Sequence, residues 1–302
     1  MLKQDKRTKS LKSDEIIPLI FDAVFTRILN NEDNIIILEN ILSIYFKEPL
    51  ENYKNKIKIK SRDLPTENKR EHDKQVDLVI DRDGEKTNIE LNTSKSEGKT
   101  NRNVVYISSI HGKQLKYKDN NYSNIKSTVQ INFNDFSCNE ENIIDTYYLR
   151  NKKGKILTKK FRIDQVDLVK AREKEYNESD KKLIKILRAL NATTLTDLKK
   201  EIEGTMEKEA ENKLVDQIEK YSQDDEVYAL YSAYSKEELE RNTLLIEAKE
   251  EGFKKGIEEG IEEGIEEGIE QTAKNLLNMN MKIEDISKAT GLSVEKIKLL
   301  KE

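Results

Sequence analysis

One short segment restricts the possible folds of this chain more than any other: VDLVIDRDGEKTNIELNTS, residues 76–94. Asp83-Gly84 between alternating apolar residues is a strong signal for a two-residue hairpin, because a type I′ turn needs positive φ at both central positions and this pair adopts it at little cost. With that turn, Arg82 pairs with Glu85 and paired positions sum to 167. Asp77 then lies opposite Glu90, while Leu78, Ile80, Ile89 and Leu91 share the other face, toward a core. A one-residue slip would exchange the faces, so the apolar set pins the register. Side chains directly opposed have Cβ atoms about 4.5–5.5 Å apart, and like charges there are destabilising. The acidic face needs a reason that the apolar face does not supply.

A divalent cation is one such reason. Carboxylates are hard oxygen ligands, and magnesium is commonly held by one or two of them with waters. A cation so placed could polarise a phosphodiester oxygen and lower the pKa of an attacking water. The plainer alternative is an exposed polar face on an edge hairpin, with Asp77 paired to Lys86 or Arg102 and Glu90 to Lys95.

Around the hairpin, apolar spacing over 14–46 predicts two helices broken by the Asn-Asn-Glu-Asp-Asn stretch at 30–34. Residues 53–64 alternate as a strand ending before Pro65, 102–118 read as a helix, 131–136 as a strand, and 147–164 as a second hairpin turning at Lys153-Gly154. This order predicts a mixed α/β domain over 1–165, with helices flanking one sheet. Strand signals stop near 166, and 166–250 read as charged amphipathic helices, a helical arm. The third region, 251–302, opens with Gly252, Gly256, Gly260, Gly264 and Gly268 recurring every fourth residue beside Ile257, Ile261, Ile265 and Ile269. Each interior glycine costs a helix roughly 0.8–1 kcal/mol against alanine. The stripe therefore calls for a partner helix, and residues 252–302 are expected to mediate homo-oligomerisation. Glutamates between the glycines exclude the membrane-dimer reading of this spacing and make a poor contact for DNA. The tail reads as three short helices, with Ser293 capping the last. Its run IEDISKATGLSVEKIKLL has a helix-turn-helix pattern, but the final helix carries few side chains suited to base edges, so a packing or dimerisation module is the plainer account.

Composition narrows the function classes. The single cysteine, Cys138, cannot form an internal disulfide and has no Cys or His at ligand spacing. A basic N-terminus without an apolar core, and no long apolar window, predict a cytoplasmic protein with no membrane span. Residues 1–165 carry 31 Lys+Arg against 25 Asp+Glu, a net +6, and the remainder 23 against 33, a net −10, so a polyanion suits only the first part. Lys56, Lys58 and Lys60 are candidate phosphate contacts. His72 and His111 are isolated and read as ordinary surface or helix residues, Ser108-Ser109 sits in no nucleophile motif, and no phosphate-binding glycine loop occurs.

An Asp in one strand, a turn, Ile-Glu-x in the next, a helix beginning near Arg102-Asn103 and a strand reading QINFNDF at 130–136 together resemble the PD-(D/E)XK nuclease family transposases, also called recombination-promoting nucleases. The segment FDAVFTRIL at 21–29 is similar to the family's opening helix, and the glycine-rich charged helix followed by a TGLS module is similar to its tail. The resemblance covers most of the chain, most specifically 21–136. It implies a restriction-endonuclease-like α/β core, a mixed sheet flanked by helices and followed by a helical C-terminal region, and cleavage of DNA dependent on magnesium, with manganese as a substitute. Asp77 and Glu90 match the two metal-binding acids, and Asp22 an additional ligand or orienting group. The third signature position, Lys in the wider superfamily and often Gln in this family, is here Asn92. An Asn can hold a water or a phosphate oxygen but brings no positive charge. Lys95, just beyond the strand, is the candidate to supply that cation if the loop folds back. The departure at Asn92 keeps a second expectation open: a degenerate nuclease fold acting as a DNA-binding or protein-interaction module.

Overall fold

The turn forms as the dipeptide requires: in a computed structural model that describes residues 11–60, 63–64, 74–115, 121–173, 175 and 178–300, Asp83 and Gly84 have φ of 51° and 91°. They join β4 (Leu78–Arg82) to β5 (Glu85–Asn92), which pair Arg82 with Glu85 through Leu78 with Ile89. The register is the one the turn implies. The hairpin is not at an edge, however. The six-stranded sheet has the order β1-β4-β5-β6-β8-β7, with β1 at Ile57–Lys60, β6 at Thr128–Asn134, β7 at Ile144–Tyr148 and β8 at Phe161–Asp167. A separate two-stranded pairing joins β2 (Asp63–Leu64) to β3 (Lys74–Gln75).

Strands β5, β6 and β8 run parallel and the remaining pairs antiparallel. A parallel neighbour needs a crossover, and α3 (Glu97–Gly112) provides it between β5 and β6. This helix begins five residues earlier than the expected 102, because the Ser96 hydroxyl caps it by accepting from the Lys99 N–H. The expected second hairpin is β7 paired with β8, reaching beyond 147–164 at both ends and joined by a long connection whose Gly154 has φ +82°.

The apolar sheet face carries Leu78, Ile80, Ile89, Ile131, Phe133 and Val166, all buried. Helices α1 (Asp22–Leu29) and α2 (Ile35–Phe46) add Val24, Phe25, Ile28, Ile37, Leu38 and Leu42 to the same core. Each such side chain contributes roughly 1.5–3 kcal/mol by leaving water. Helices α4 (Leu168–Glu173), α5 (Lys181–Ala189), α6 (Leu195–Ile202) and α7 (Lys208–Ser222) bring Leu168, Leu187, Leu198 and Ile218 into it as well. The first compact unit accordingly runs from Met1 to Ser232, past the composition shift near 165.

The second unit, Ala233–Glu302, holds most of α8 (Asp225–Asn278), together with α9 (Ile283–Thr290) and α10 (Val294–Leu299). The tail module is the end of α8 packed on α9 and α10 through Ala273, Ile286 and Ile297. Gly291 closes α9 with φ +77°, and Ser293 caps α10 by accepting from the Lys296 N–H. The glycine repeat lies in one unbroken helix, where a Cβ added at Gly252 through Gly268 would meet no heavy atom within 4 Å and Ile257, Ile261 and Ile265 are exposed. Among the described residues, no helix is long and apolar enough to cross a membrane.

Candidate active site on the polar sheet face

Alternation gives the sheet a second face of opposite character. Asn88, Glu90 and Asn92 on β5 lie beside Gln130, Asn132 and Asn134 on β6. These six polar side chains are all buried, Glu90 to 1% exposure. The cover is α3, whose Tyr106 and Ile110 join Val76 and Val79 in a small apolar cluster separate from the main core. Removing carboxamides from water is costly unless they pair with one another, and most do. Asn88 Nδ2 donates to Glu90 Oε1 at 3.1 Å and Gln130 Oε1 at 3.3 Å, Asn103 Nδ2 of α3 donates to Asn132 Oδ1 at 3.0 Å, and Asn92 Nδ2 to Asn134 Oδ1 at 3.1 Å. Four atoms stay without a partner among the described residues: Asn88 Oδ1, Asn92 Oδ1, Asn103 Oδ1 and Asn132 Nδ2. Each costs about 1–3 kcal/mol.

Asp77 sits in the bend just before β4, and its carboxylate accepts the Leu91 N–H at 2.7 Å. This bond ties it to the strand that carries Glu90. Burial first, and the Asp77 charge second, push the Glu90 carboxyl up to about 8. Arg102, one turn before Tyr106 on α3, opposes this only in part: its guanidinium is 3.8 Å from Glu90 Oε2 and lies over the Tyr106 ring, 5.5 Å from the centroid.

Two other buried acids are compensated by several donors each. Asp164 takes two bonds from Arg162, one from the Tyr45 hydroxyl and one from Thr146. Asp167 accepts backbone N–H groups of Cys138, Asn139 and Lys170, which help hold it below the usual carboxylate range. Glu90 has the Asn88 amide, the backbone N–H of Asp77 and the more distant Arg102 guanidinium to set against burial and the Asp77 charge, and these do not offset them. A buried acid whose pKa is raised by burial and by a second carboxylate is a functional-site candidate.

The residues singled out from sequence divide into three groups. Asp77 and Glu90 are adjacent, and Asn92 shares their face, buried two positions further along β5. Lys95 is exposed and, with Asn92, lines a cavity of about 420 Å³. Its charge acts on the Cys138 thiol, which burial and Asp167 nevertheless push up to about 11. Asp22 stands in the first turn of α1, where its carboxylate accepts from the Thr26 hydroxyl. Among the described residues, no three of His, Cys, Asp and Glu gather as a metal-holding group, so Asp22 is not assembled with the pair.

The ion pairs imagined for a plain hairpin are arranged differently. Lys86 pairs with Asp81, toward which Lys60 also reaches, and the cation facing Glu90 is Arg102 instead of Lys95. Lys58 and Lys60 are exposed on the strand flanking β4, and Lys56 donates to the Glu51 carbonyl. His111 Nδ1 lies 2.8 Å from Thr128 Oγ1 with its ring edge-on to Phe161, a helix residue sealed to the sheet. His72 lies outside the described residues. The sequence reading set Arg102 beside Asp77 and did not see it facing Glu90, and it missed the amides of Asn88, Asn103 and Asn132. The Asn-x-Glu-x-Asn alternation of β5 and the four-residue step from Arg102 to Tyr106 were their only local signals.

The donor chemistry fits a hard divalent cation: two carboxylates converge and an unpartnered amide oxygen, Asn88 Oδ1, is buried beside them. Among the described residues, no thiolate or imidazole joins the group. A sequence profile described as PD-(D/E)XK nuclease family transposase matches residues 19–248. No curated protein matches the chain, and no solved structure does. The matched residues take in the whole six-stranded sheet and α3 and make up well over half of the 302, so the chain belongs to the PD-(D/E)XK nuclease family transposases.

Proposed function

We propose that the protein is a metal-dependent DNA endonuclease that hydrolyses phosphodiester bonds at Asp77 and Glu90. The observation that carries this reading is Glu90: a buried acid set against the Asp77 carboxylate, whose pKa burial and that charge raise in spite of the donors it has, whereas several donors meet Asp164 and Asp167. Asp77 and Glu90 are the residues that would hold magnesium or manganese. A bound cation there would supply Lewis-acid polarisation and a more acidic water. Asn92 offers an amide to a water or a phosphate oxygen. Arg102 brings positive charge toward the reacting phosphate, in the role that a signature lysine has elsewhere, with Lys95 as the alternative source. Lys58 and Lys60 would contact the DNA backbone.

The test is cleavage of supercoiled and linear DNA with magnesium, with manganese and with EDTA, by wild type, Asp77→Asn and Glu90→Gln. The reading requires metal-dependent nicking lost in both variants, and equal cleavage by all three would refute it. A second reading, a degenerate nuclease fold that binds DNA or protein, is favoured by Asn92 standing where a cation is usual. It is distinguished by calorimetry, which would show no magnesium or manganese heat in wild type. The open glycines and exposed isoleucines of α8 support homo-oligomerisation through 252–302; deleting that segment should lower the mass measured by light scattering. We read the protein as cytoplasmic.

A further inference from the structure

One connection stands apart from the acidic site: residues 149–160, between β7 and β8, read LRNKKGKILTKK, with six cations and no carboxylate. Without them, residues 1–165 carry 25 Lys+Arg against 25 Asp+Glu. The whole basic excess of the first part of the chain therefore sits in this one segment. Its backbone is ordered. The Leu157 N–H donates to the Leu149 carbonyl at 2.8 Å and the Asn151 N–H to the Lys155 carbonyl at 3.1 Å, around an antiparallel bridge between Arg150 and Ile156. At the tip, Asn151 Oδ1 accepts the N–H groups of Lys153 and Lys155, both at 3.0 Å, and Gly154 takes the positive φ of the turn. Lys160 ties down the root, its Nζ donating to the Ile125 carbonyl at 2.7 Å. The result is a short two-stranded ribbon beyond the start of β8. Lys152, Lys153, Lys155 and Lys159 are exposed on it and, among the described residues, have no ion pair.

We infer that this ribbon is a DNA-binding arm, which docks in the major groove of a duplex and sets Lys152, Lys153, Lys155 and Lys159 against the phosphates of its walls. Four ammonium groups fixed on one ribbon repel one another, and a polyanion relieves that repulsion. The major groove, about 12 Å wide and 8.5 Å deep, admits a two-stranded β-ribbon, and a leg of three to four residues reaches roughly 10–13 Å. Lysines meet phosphates as point charges, and Asn151, the amide at the tip, is committed to the turn. The contact therefore positions DNA without reading its sequence. Phe161 is level with Lys86 of β5 across β6, and Glu90 stands four residues further along β5. The root of the arm thus lies on the order of 16 Å from the acids, about five base pairs of duplex, so one duplex can span both. The arm touches no reacting atom. The inference takes the kind of polyanion from the nuclease reading and no chemical step from it.

The test is binding of the full chain to a labelled duplex of arbitrary sequence, followed by fluorescence anisotropy in EDTA over a range of KCl concentrations. A triple variant, Lys152→Gln with Lys153→Gln and Lys155→Gln, keeps the backbone bonds of the turn. It should bind about tenfold or more weakly at moderate salt, and the slope of log affinity against log salt should be shallower by about 2–3, since each phosphate contact contributes about 0.9. Lys182→Gln with Lys199→Gln and Lys200→Gln, the same change of net charge at exposed positions of α5 and α6, should leave both nearly unchanged. Failure of the wild type to bind duplex, or an unaltered slope in the arm variant, overturns the inference. So does equal weakening in the second variant, which would mark attraction by net charge alone. Leu157 is 81% exposed on the arm, so an anionic lipid surface is the competing partner. Arm-dependent sedimentation with phosphatidylserine vesicles, without arm-dependent binding of duplex, also overturns it. Binding in EDTA without cleavage in magnesium would remove only the nuclease reading, and metal-dependent cleavage with an unaltered slope in the arm variant only this one.

Discussion

Glu90→Gln should stabilise the metal-free protein at alkaline pH and do little in acid. Burial and the Asp77 carboxylate move Glu90 from 4.5 to about 8. At about 1.4 kcal/mol per pH unit, ionising it in the folded protein costs on the order of 5 kcal/mol more than in the unfolded chain. Between those values the folded state binds more protons than the unfolded one, so unfolding free energy falls with rising pH. The contribution of this group is fully present below about pH 4.5, declines as pH rises and is gone above about pH 8. Glutamine has no charge to bury. Urea melts in EDTA at about pH 5, 7 and 9 should therefore show the variant gaining steadily on wild type, by up to about 5 kcal/mol at the highest pH. That is a large share of the stability of an ordinary domain. His111 and Cys138 titrate in both proteins and cancel in the difference. Parallel pH dependences for wild type and variant would refute the account of Glu90 as a buried acid forced against Asp77.

Three further outcomes test the surrounding geometry. Arg102→Gln removes the cation facing Glu90, so the decline in stability should begin near pH 4.5 as before but run to a higher pH than in wild type, with a loss of no more than about 1 kcal/mol from the partly exposed pair itself; Arg102→Lys should restore most of it, by the same urea melts. Gly84→Ala places a Cβ at φ +91°, 3.2 Å from Lys126 Cγ, and should cost about 1–2 kcal/mol in the urea midpoint. Ser293→Ala removes the cap of α10 and should cost about 0.5–2 kcal/mol, seen as faster amide exchange over 283–299 with 11–232 unchanged.

Local rules carried much of this protein. Asp83-Gly84 admits one turn, the turn admits one register, and the register places Asp77 against Glu90 before any other contact is known. The break at 30–34, the cap at Ser293, and the amphipathic helices after 166 follow from chemistry within a few residues. Burial did not follow. The polar face of β5 reads like the wet side of an edge hairpin, because Asn88, Glu90 and Asn92 alternate with Ile89 and Leu91 as solvent-facing residues would. Only the insertion of β5 between β4 and β6, under α3, takes those groups out of water and raises Glu90. The partners responsible are distant in the chain: Asn88 meets Gln130 across 42 residues, and Asn134 meets Gln165 across 31. The same holds for α4 to α7, whose apolar stripes suit an independent arm or a shared core equally well until α1 and α2 are seen beside them. Hydrophobic period and turn chemistry are properties of neighbouring residues, whereas the dielectric around a carboxylate depends on what is packed over it.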